Sequence, residues 1–409
     1  MKPKQISLLS APVLVGALGF FVDVFDLLLF NIIRKQSLRD IGLTDEQILS
    51  QGENILSIQM IGLLVGGIIW GVMGDKKGRL SVLFGSILLY SLATIGNGFV
   101  HTANQYAILR FIAGFGLAGE LGASITLTSE MLPKEKRGLA ASIIATTGVF
   151  GSVTAYFVFK LSNNDWRLCY FIGGGMGLLL LFLRMSVMES DMFDSVKHSN
   201  IARGNFLMFF TSKDRLYRYM RGVLIGIPVW YVIGVLITFS DQFGKEMGIA
   251  GVDPAKAILY QYAALVFGDL GAGLLSNVIK SRKKTLFIFY GIASVFIVLY
   301  FLQHNGTANN MYWLCAGLGF GSGISVLYIT MSAEQFGTNL RASAAISIPN
   351  VVRGVLPLII LLFKFLRSVP GISYVTGGWI TGIIVMIIGF VATWFTKETF
   401  GTDLNFVEE

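Results

Sequence analysis

The sequence predicts an all-α integral membrane protein in which twelve transmembrane helices form two six-helix bundles related by a pseudo-twofold. Three observations carry this reading. Hydrophobic residues make up 54% of the 409 positions and charged residues only 14%, where an ordinary soluble chain has about 25% charged residues. The apolar runs are about 20 residues long, enough for a helix to cross a ~30 Å hydrocarbon core. The runs also fall into two sets of six. A surface this apolar suits lipid, which requires every backbone group to be paired inside helices or a closed barrel. Runs of this length, in place of ten-residue alternations, select helices.

The spans centre near residues 22, 64, 90, 117, 150 and 178, and again near 231, 268, 294, 320, 354 and 384. The N-terminal bundle is therefore residues 1–188 and the C-terminal bundle 219–409. Between them, residues 189–218 read as a cytoplasmic linker holding Lys197, Arg203, Lys213 and Arg215. With the N-terminus inside, 21 of the 32 Lys and Arg fall on the inner side and 9 on the outer, and the other two, Arg110 and Arg353, lie within spans. Such a bias places both termini in the cytoplasm of a cell (inner or plasma) membrane. It also accounts for the net charge of +8 without nucleic acid. Met1–Gln5 is short and basic with no small-residue cleavage site after the first run, so the first helix is expected to be retained. Cys169 and Cys315 lie in apolar stretches and read as buried thiols, with no metal-ligand cluster to argue.

The halves echo each other at an offset of just over 200 residues, the trace of an internal repeat. After the second span comes Gly71-Val72-Met73-Gly74-Asp75-Lys76-Lys77-Gly78-Arg79; after the eighth comes Gly273 to Asn277 and the basic run Lys280 to Lys284. Ser129-Glu130 is followed by Arg137, and Ala333-Glu334 by Arg341 at the same spacing.

These residues resemble the major facilitator superfamily, whose members pack two six-helix bundles around a central cavity and alternate its access between the two sides. The resemblance covers nearly the whole chain. Gly71, Asp75, Gly78 and Arg79 are similar to the family's loop pattern G-x-x-x-D-x-x-G-R-[RK], with a departure at Leu80 and with Asn277 in place of the acid in the second copy. The resemblance implies that Asp75 and Arg79 form an inward gate, better built in the N-terminal half, with Glu130, Arg137, Glu334 and Arg341 as its second layer. Close glycines there let helices approach, and Asp75 can accept from a helix terminus or from Arg79. Arg110 to Glu120 looks like the R-x-x-x-G-x-G-x-G-G-E segment of metabolite and aromatic-acid proton symporters, and Asp23-Val24-Phe25-Asp26 like the D-x-[FY]-D of the aromatic-acid group. Glu398-Thr399-Phe400-Gly401 resembles the C-terminal edge of the sugar-porter-like branches, whereas the fifth span, with Gly148 and Gly151, lacks the Gly-Pro signature of drug antiporters.

A charge at bilayer depth costs at least about 2.5–3.5 kcal/mol, so each one asks for a partner or a task. Asp23, Glu120, Asp269 and Arg353 fall near their helix centres, and Asp26 and Arg110 lie outward of them, where the two can pair. Transporters built from repeats hold substrate and coupling ions near the midplane. An acid that gains and loses an Arg partner can take up and release a proton. Asp23 and Glu120 are thus expected to carry the proton and Arg353 to hold a substrate carboxylate, with Arg110 tuning Asp26. Asp269 is either a further proton site or the cap of a broken helix. Of the aromatics, Trp230, Tyr231 and Tyr328 are candidate substrate contacts, whereas Tyr260 and Tyr262 read as interface anchors. Pro228 and Gly226 are positioned to kink or unwind the seventh helix.

The function expected is proton-coupled symport of a small organic anion or carboxylate metabolite by a monomer in the bilayer, with H⁺ as coupling ion and no cofactor. The alternatives are a sugar or polyol porter of the same fold, an efflux antiporter, or a non-transporting sensor. An enzyme is disfavoured because His101, His198 and His304 are scattered and offer no zinc site. An ATP-driven pump is disfavoured because no phosphate-cradling Gly-Lys-Thr motif occurs.

Overall fold

Long apolar runs with polar caps become helices in the order the hydropathy predicts. The computed structural model describes residues 11–77, 79–120, 134–184, 206–402 and 408. The chain divides into two compact units, Met1–Leu207 and Met208–Glu409. The first holds α1 (Ala11–Asp40), α2 (Asp45–Lys77), α3 (Arg79–Asn97), α4 (Ala103–Leu117), α5 (Lys134–Leu161) and α6 (Trp166–Arg184). The second holds α7 (Lys213–Tyr231), which runs into a π-helical segment at Val232–Ile237, then α8 (Pro254–Ile279), α9 (Arg282–Phe301), α10 (Ala308–Gly321), α11 (Ser325–Glu334), α12 (Thr338–Ser368) and α13 (Tyr374–Phe395). α10 and α11 are the two pieces of one span. The stretch expected as linker, 189–218, thus ends inside helix, because α7 begins at Lys213 behind Ser212 as N-cap residue.

Among the described residues nine helical segments are long and apolar enough to cross a membrane. The shorter apolar segments Ser81–Asn97 and Thr147–Leu161, together with α4, complete twelve. This is a multi-pass membrane protein. Caps mark where the spans start. Thr44 and Gln47 bond reciprocally ahead of α2, a capping box. The tripeptide Thr-Ala-Asn opens both α4 and α10, with Thr102 and Thr307 accepting from the backbone N–H three residues on.

In lipid, close packing between small residues takes over from the hydrophobic effect as the force between helices. The repeat uses the same device twice. A Cβ on Gly114 would stand 2.2 Å from the carbonyl oxygen of Gln59, and one on Gly319 would stand 2.0 Å from that of Gln261. Likewise a Cβ on Gly66 would meet the Phe115 carbonyl at 2.2 Å, and one on Gly268 the Phe320 carbonyl at 2.3 Å. So α2 lies backbone to backbone on α4, and α8 on α10. Cys169 and Cys315 are buried free thiols.

Candidate functional site

In the first unit the buried charges sit on α1 and α4. Asp23 and Asp26, three residues apart and so on one side of α1, are both fully buried, as are Arg110 and Glu120. The pairing expected of Asp26 and Arg110 is present: Arg110 Nη2 stands 3.4 Å from Asp26 Oδ1, and Nη1 donates to the Asp26 carbonyl at 3.4 Å. These contacts are long beside the ~2.7–2.9 Å of a tight charge-assisted bond. Asp26 Oδ2 and Arg110 Nε have no hydrogen-bond partner among the described residues. The pair is therefore fully desolvated yet loosely closed, an arrangement that can separate. Glu120 lies just past the turn at Ala118–Gly119 that ends α4.

A chain of polar aromatics runs from this pair toward the end of α1. The Arg110 guanidinium lies 4.9 Å over the Tyr170 ring. The Tyr170 and Tyr106 hydroxyls are 2.6 Å apart, and Tyr106 donates to Ser37 Oγ at 3.2 Å. Trp166 stacks on Tyr106 and donates through Nε1 to Asp40 Oδ2 at 2.9 Å. No motif drew attention to Tyr106, Tyr170 or Trp166, since single aromatics in apolar spans are the commonest filler. Their signal is their shared depth with Arg110.

In the second unit α7, α8, α11 and α12 bring aromatics around one guanidinium. Arg353, 7% exposed, stands 5.7 Å over the Trp230 ring. The Tyr262 and Tyr328 hydroxyls are both buried within Coulombic reach of Arg353 and of Asp269. Gly226 makes the convergence possible: a Cβ there would lie 2.8 Å from Val352 and 3.0 Å from the Tyr328 ring. Backbone irregularity surrounds the cluster. Pro349 and Pro357 lie within α12 on either side of Arg353, and Pro228 precedes Trp230 in α7. Each proline removes one helical hydrogen bond, and the π-helical turns after Tyr231 are of a kind frequent at functional sites. Asp269 Oδ1 accepts from the Ser325 backbone N–H at 2.7 Å.

Two expectations for aromatics are corrected. Tyr231 does not join Trp230; its hydroxyl donates to the Gly378 carbonyl at 2.7 Å and its ring fills the space beside Gly382 in α13. Tyr262, read as an interface anchor, belongs to the Arg353 cluster instead. Tyr260 is half-buried and packs against Tyr312 and Trp313 at 5.6 and 5.4 Å.

Of the expected gate, the side chains of Asp75, Arg79 and Arg137, and Gly78 and Glu130 altogether, lie outside the described residues. Among the described residues, nothing lies within 4 Å of where a Cβ on Gly71 would stand. The second-unit counterpart is a network. Glu334 pairs with Arg282 at 3.2 Å and accepts from the Thr399 hydroxyl at 2.6 Å. Arg341 donates through Nε to the Phe336 carbonyl at 3.1 Å. Glu398 accepts from the Ser281 hydroxyl and from the N–H groups of Arg282 and Lys283, so it caps α9. Burial alone would raise the Glu398 pKa, but these donors outweigh it and hold the carboxyl below its ordinary 4.5. A depressed folded pKa stabilises the fold above the ordinary value and loses that contribution as pH falls through the lowered one. Thermal melting in detergent should thus show an acid-side loss of stability below about pH 4.5, and the slope should shrink in Glu398→Gln.

The sequence matches the family model described as Major Facilitator Superfamily over residues 16–360. It is 25% identical over 365 residues to a niacin transporter of Acinetobacter baylyi, covering 81% of each chain. With a cis,cis-muconate transport protein of the same organism it shares 23% over 397 residues, 94% of each. Its fold superimposes on a crystal structure of a D-xylose-proton symporter with a TM-score of 0.72 at 19% identity, over 96% of this chain and 99% of that one.

Proposed function

We infer, from the premise that this chain belongs to the Major Facilitator Superfamily, that it is a proton-coupled secondary transporter that takes up a small organic acid by alternating access. The observation that carries the anionic substrate is Arg353, a buried guanidinium 5.7 Å over the Trp230 ring, with the buried Tyr262 and Tyr328 within Coulombic reach. A guanidinium presents a planar fork to a carboxylate, and the aromatic faces and phenols around it suit a flat, unsaturated acid. The relatives named for niacin and cis,cis-muconate support the same class. Proton coupling falls to the first unit, where Asp23, Glu120 and the loosely closed Asp26–Arg110 pair are buried. The transporter works as a monomer in the inner or plasma membrane, both termini cytoplasmic, with the linker expected at 189–218 shortened to end before α7 and the charge clusters at Glu334 and Arg341 as part of its gate.

The test is uptake into proteoliposomes under an imposed pH gradient, with nicotinate, cis,cis-muconate, nicotinamide and D-xylose as probes. Accumulation of an acid that a protonophore abolishes is the expected result. Accumulation of D-xylose alone would make this a sugar porter, and tight binding without flux would make it a sensor. Glu120→Gln is expected to abolish proton-driven accumulation while sparing counterflow. Unchanged accumulation in that variant would remove Glu120 from the coupling scheme.

A further inference from the structure

We propose that Asp269 is a positioning residue: its carboxylate caps α11 across the break in the tenth span and so sets Tyr328 beside Arg353. The inference rests on reading the Arg353 cluster as the substrate site.

The break creates the need. α10 ends at Gly321 and α11 starts at Ser325, so the first N–H groups of α11 lose their partners in the preceding turn. Its N-cap residue is Ile324, which makes no side-chain cap bond, since an alkyl group cannot accept. The missing acceptor arrives from another helix. Asp269 on α8 takes the Ser325 N–H at 2.7 Å. A carboxylate there also faces the positive end of the α11 dipole.

Sequence makes the approach possible. A Cβ on Gly323 would stand 2.3 Å from the Gly268 carbonyl carbon and 2.4 Å from the Asp269 nitrogen. Only with glycine at 268 and 323 does α8 come near enough for a side chain as short as aspartate to reach α11. Tyr328 lies three residues beyond Ser325, one turn into the capped helix, and its hydroxyl feels both Asp269 and Arg353. In the first unit the position matching Asp269 is Gly67, which has no side chain to cap with.

A cap needs an acceptor oxygen, whereas a proton carrier needs a titratable one. Asparagine caps helices nearly as well as aspartate and cannot carry a proton, which separates the two roles. In the purified full-length protein, amide exchange of residues 325–328 should accelerate about tenfold or more in Asp269→Ala, as expected for loss of a buried bond. In Asp269→Asn it should stay within about threefold of the parent, the amide being a comparable cap. In proteoliposomes, nicotinate KM should rise about tenfold in Asp269→Ala by the same reasoning, with kcat little changed, while Asp269→Asn keeps both KM and proton-driven accumulation. Unchanged exchange in Asp269→Ala, or loss of accumulation with intact counterflow in Asp269→Asn, overturns the proposal. Should the alanine variant not survive purification, the asparagine variant decides. If the parent protein takes up no nicotinate, the substrate reading fails separately and amide exchange still decides the cap.

Discussion

Replacing Arg110 by leucine is expected to destabilise the protein by about 3–5 kcal/mol, the usual cost of stripping one partner from a buried ion pair. The pair is among the most buried in the described residues, with side chains 0% and 1% exposed, so water cannot solvate the orphaned Asp26 carboxylate. The guanidinium also covers the Tyr170 ring at 4.9 Å, and its loss opens a gap in the chain of phenols leading to Ser37. Removing both charges leaves no orphan, so Asp26→Asn with Arg110→Leu should recover most of the lost stability. It should not recover proton-driven uptake. Fluorescence-detected size-exclusion melting of the two variants measures the first statement, and uptake under a pH gradient the second. A single variant as stable as the parent would show that the pair contributes nothing to the fold.

Arg353 should give the largest effect on substrate affinity. A hydrogen bond to a charged group contributes about 1.5–3 kcal/mol, so Arg353→Gln is expected to raise KM for an organic acid by about 10- to 150-fold. Arg353→Lys should recover little of this, because an ammonium lacks the planar fork and stacks poorly over Trp230. The discriminating measurement is nicotinate against nicotinamide. The parent should prefer the acid and Arg353→Gln should lose the preference, whereas an equal loss for both probes would make Arg353 a packing residue.

Much of this arrangement was legible in the sequence because lipid enforces simple rules. Twelve spans follow from run length, and the Asp26–Arg110 contact follows from two charges at one depth with no water to solvate them. Pro228 and Gly226 announced irregularity in the seventh span, and a π-helical stretch follows them. Trp230 and Tyr231 could not both serve one site, since adjacent helical residues point about 100° apart; the sequence holds no sign of which one turns inward. Tyr262 looked peripheral because the eighth span was centred near Gly268, but α8 starts at Pro254 and puts two turns of helix outside it. Partners far apart in the chain stayed hidden altogether. Glu334 and Arg282 are 52 residues apart, and nothing local to either announces the other.

The glycine crossings of α2 on α4 and of α8 on α10 have a mechanical consequence. Where main chains touch directly, no side chains remain between them to change rotamer, and sliding would drive carbonyl oxygens into neighbouring atoms. Each crossed pair therefore behaves as a stiff strut. Bending must be absorbed by elements with missing or stretched ladder bonds, which in the second unit include α7 at Pro228 and its π-helical turns, and α12 at Pro349 and Pro357. Trp230 and Arg353 are mounted on those two compliant helices, so flexing them alters the grip on a bound acid while the struts keep their shape.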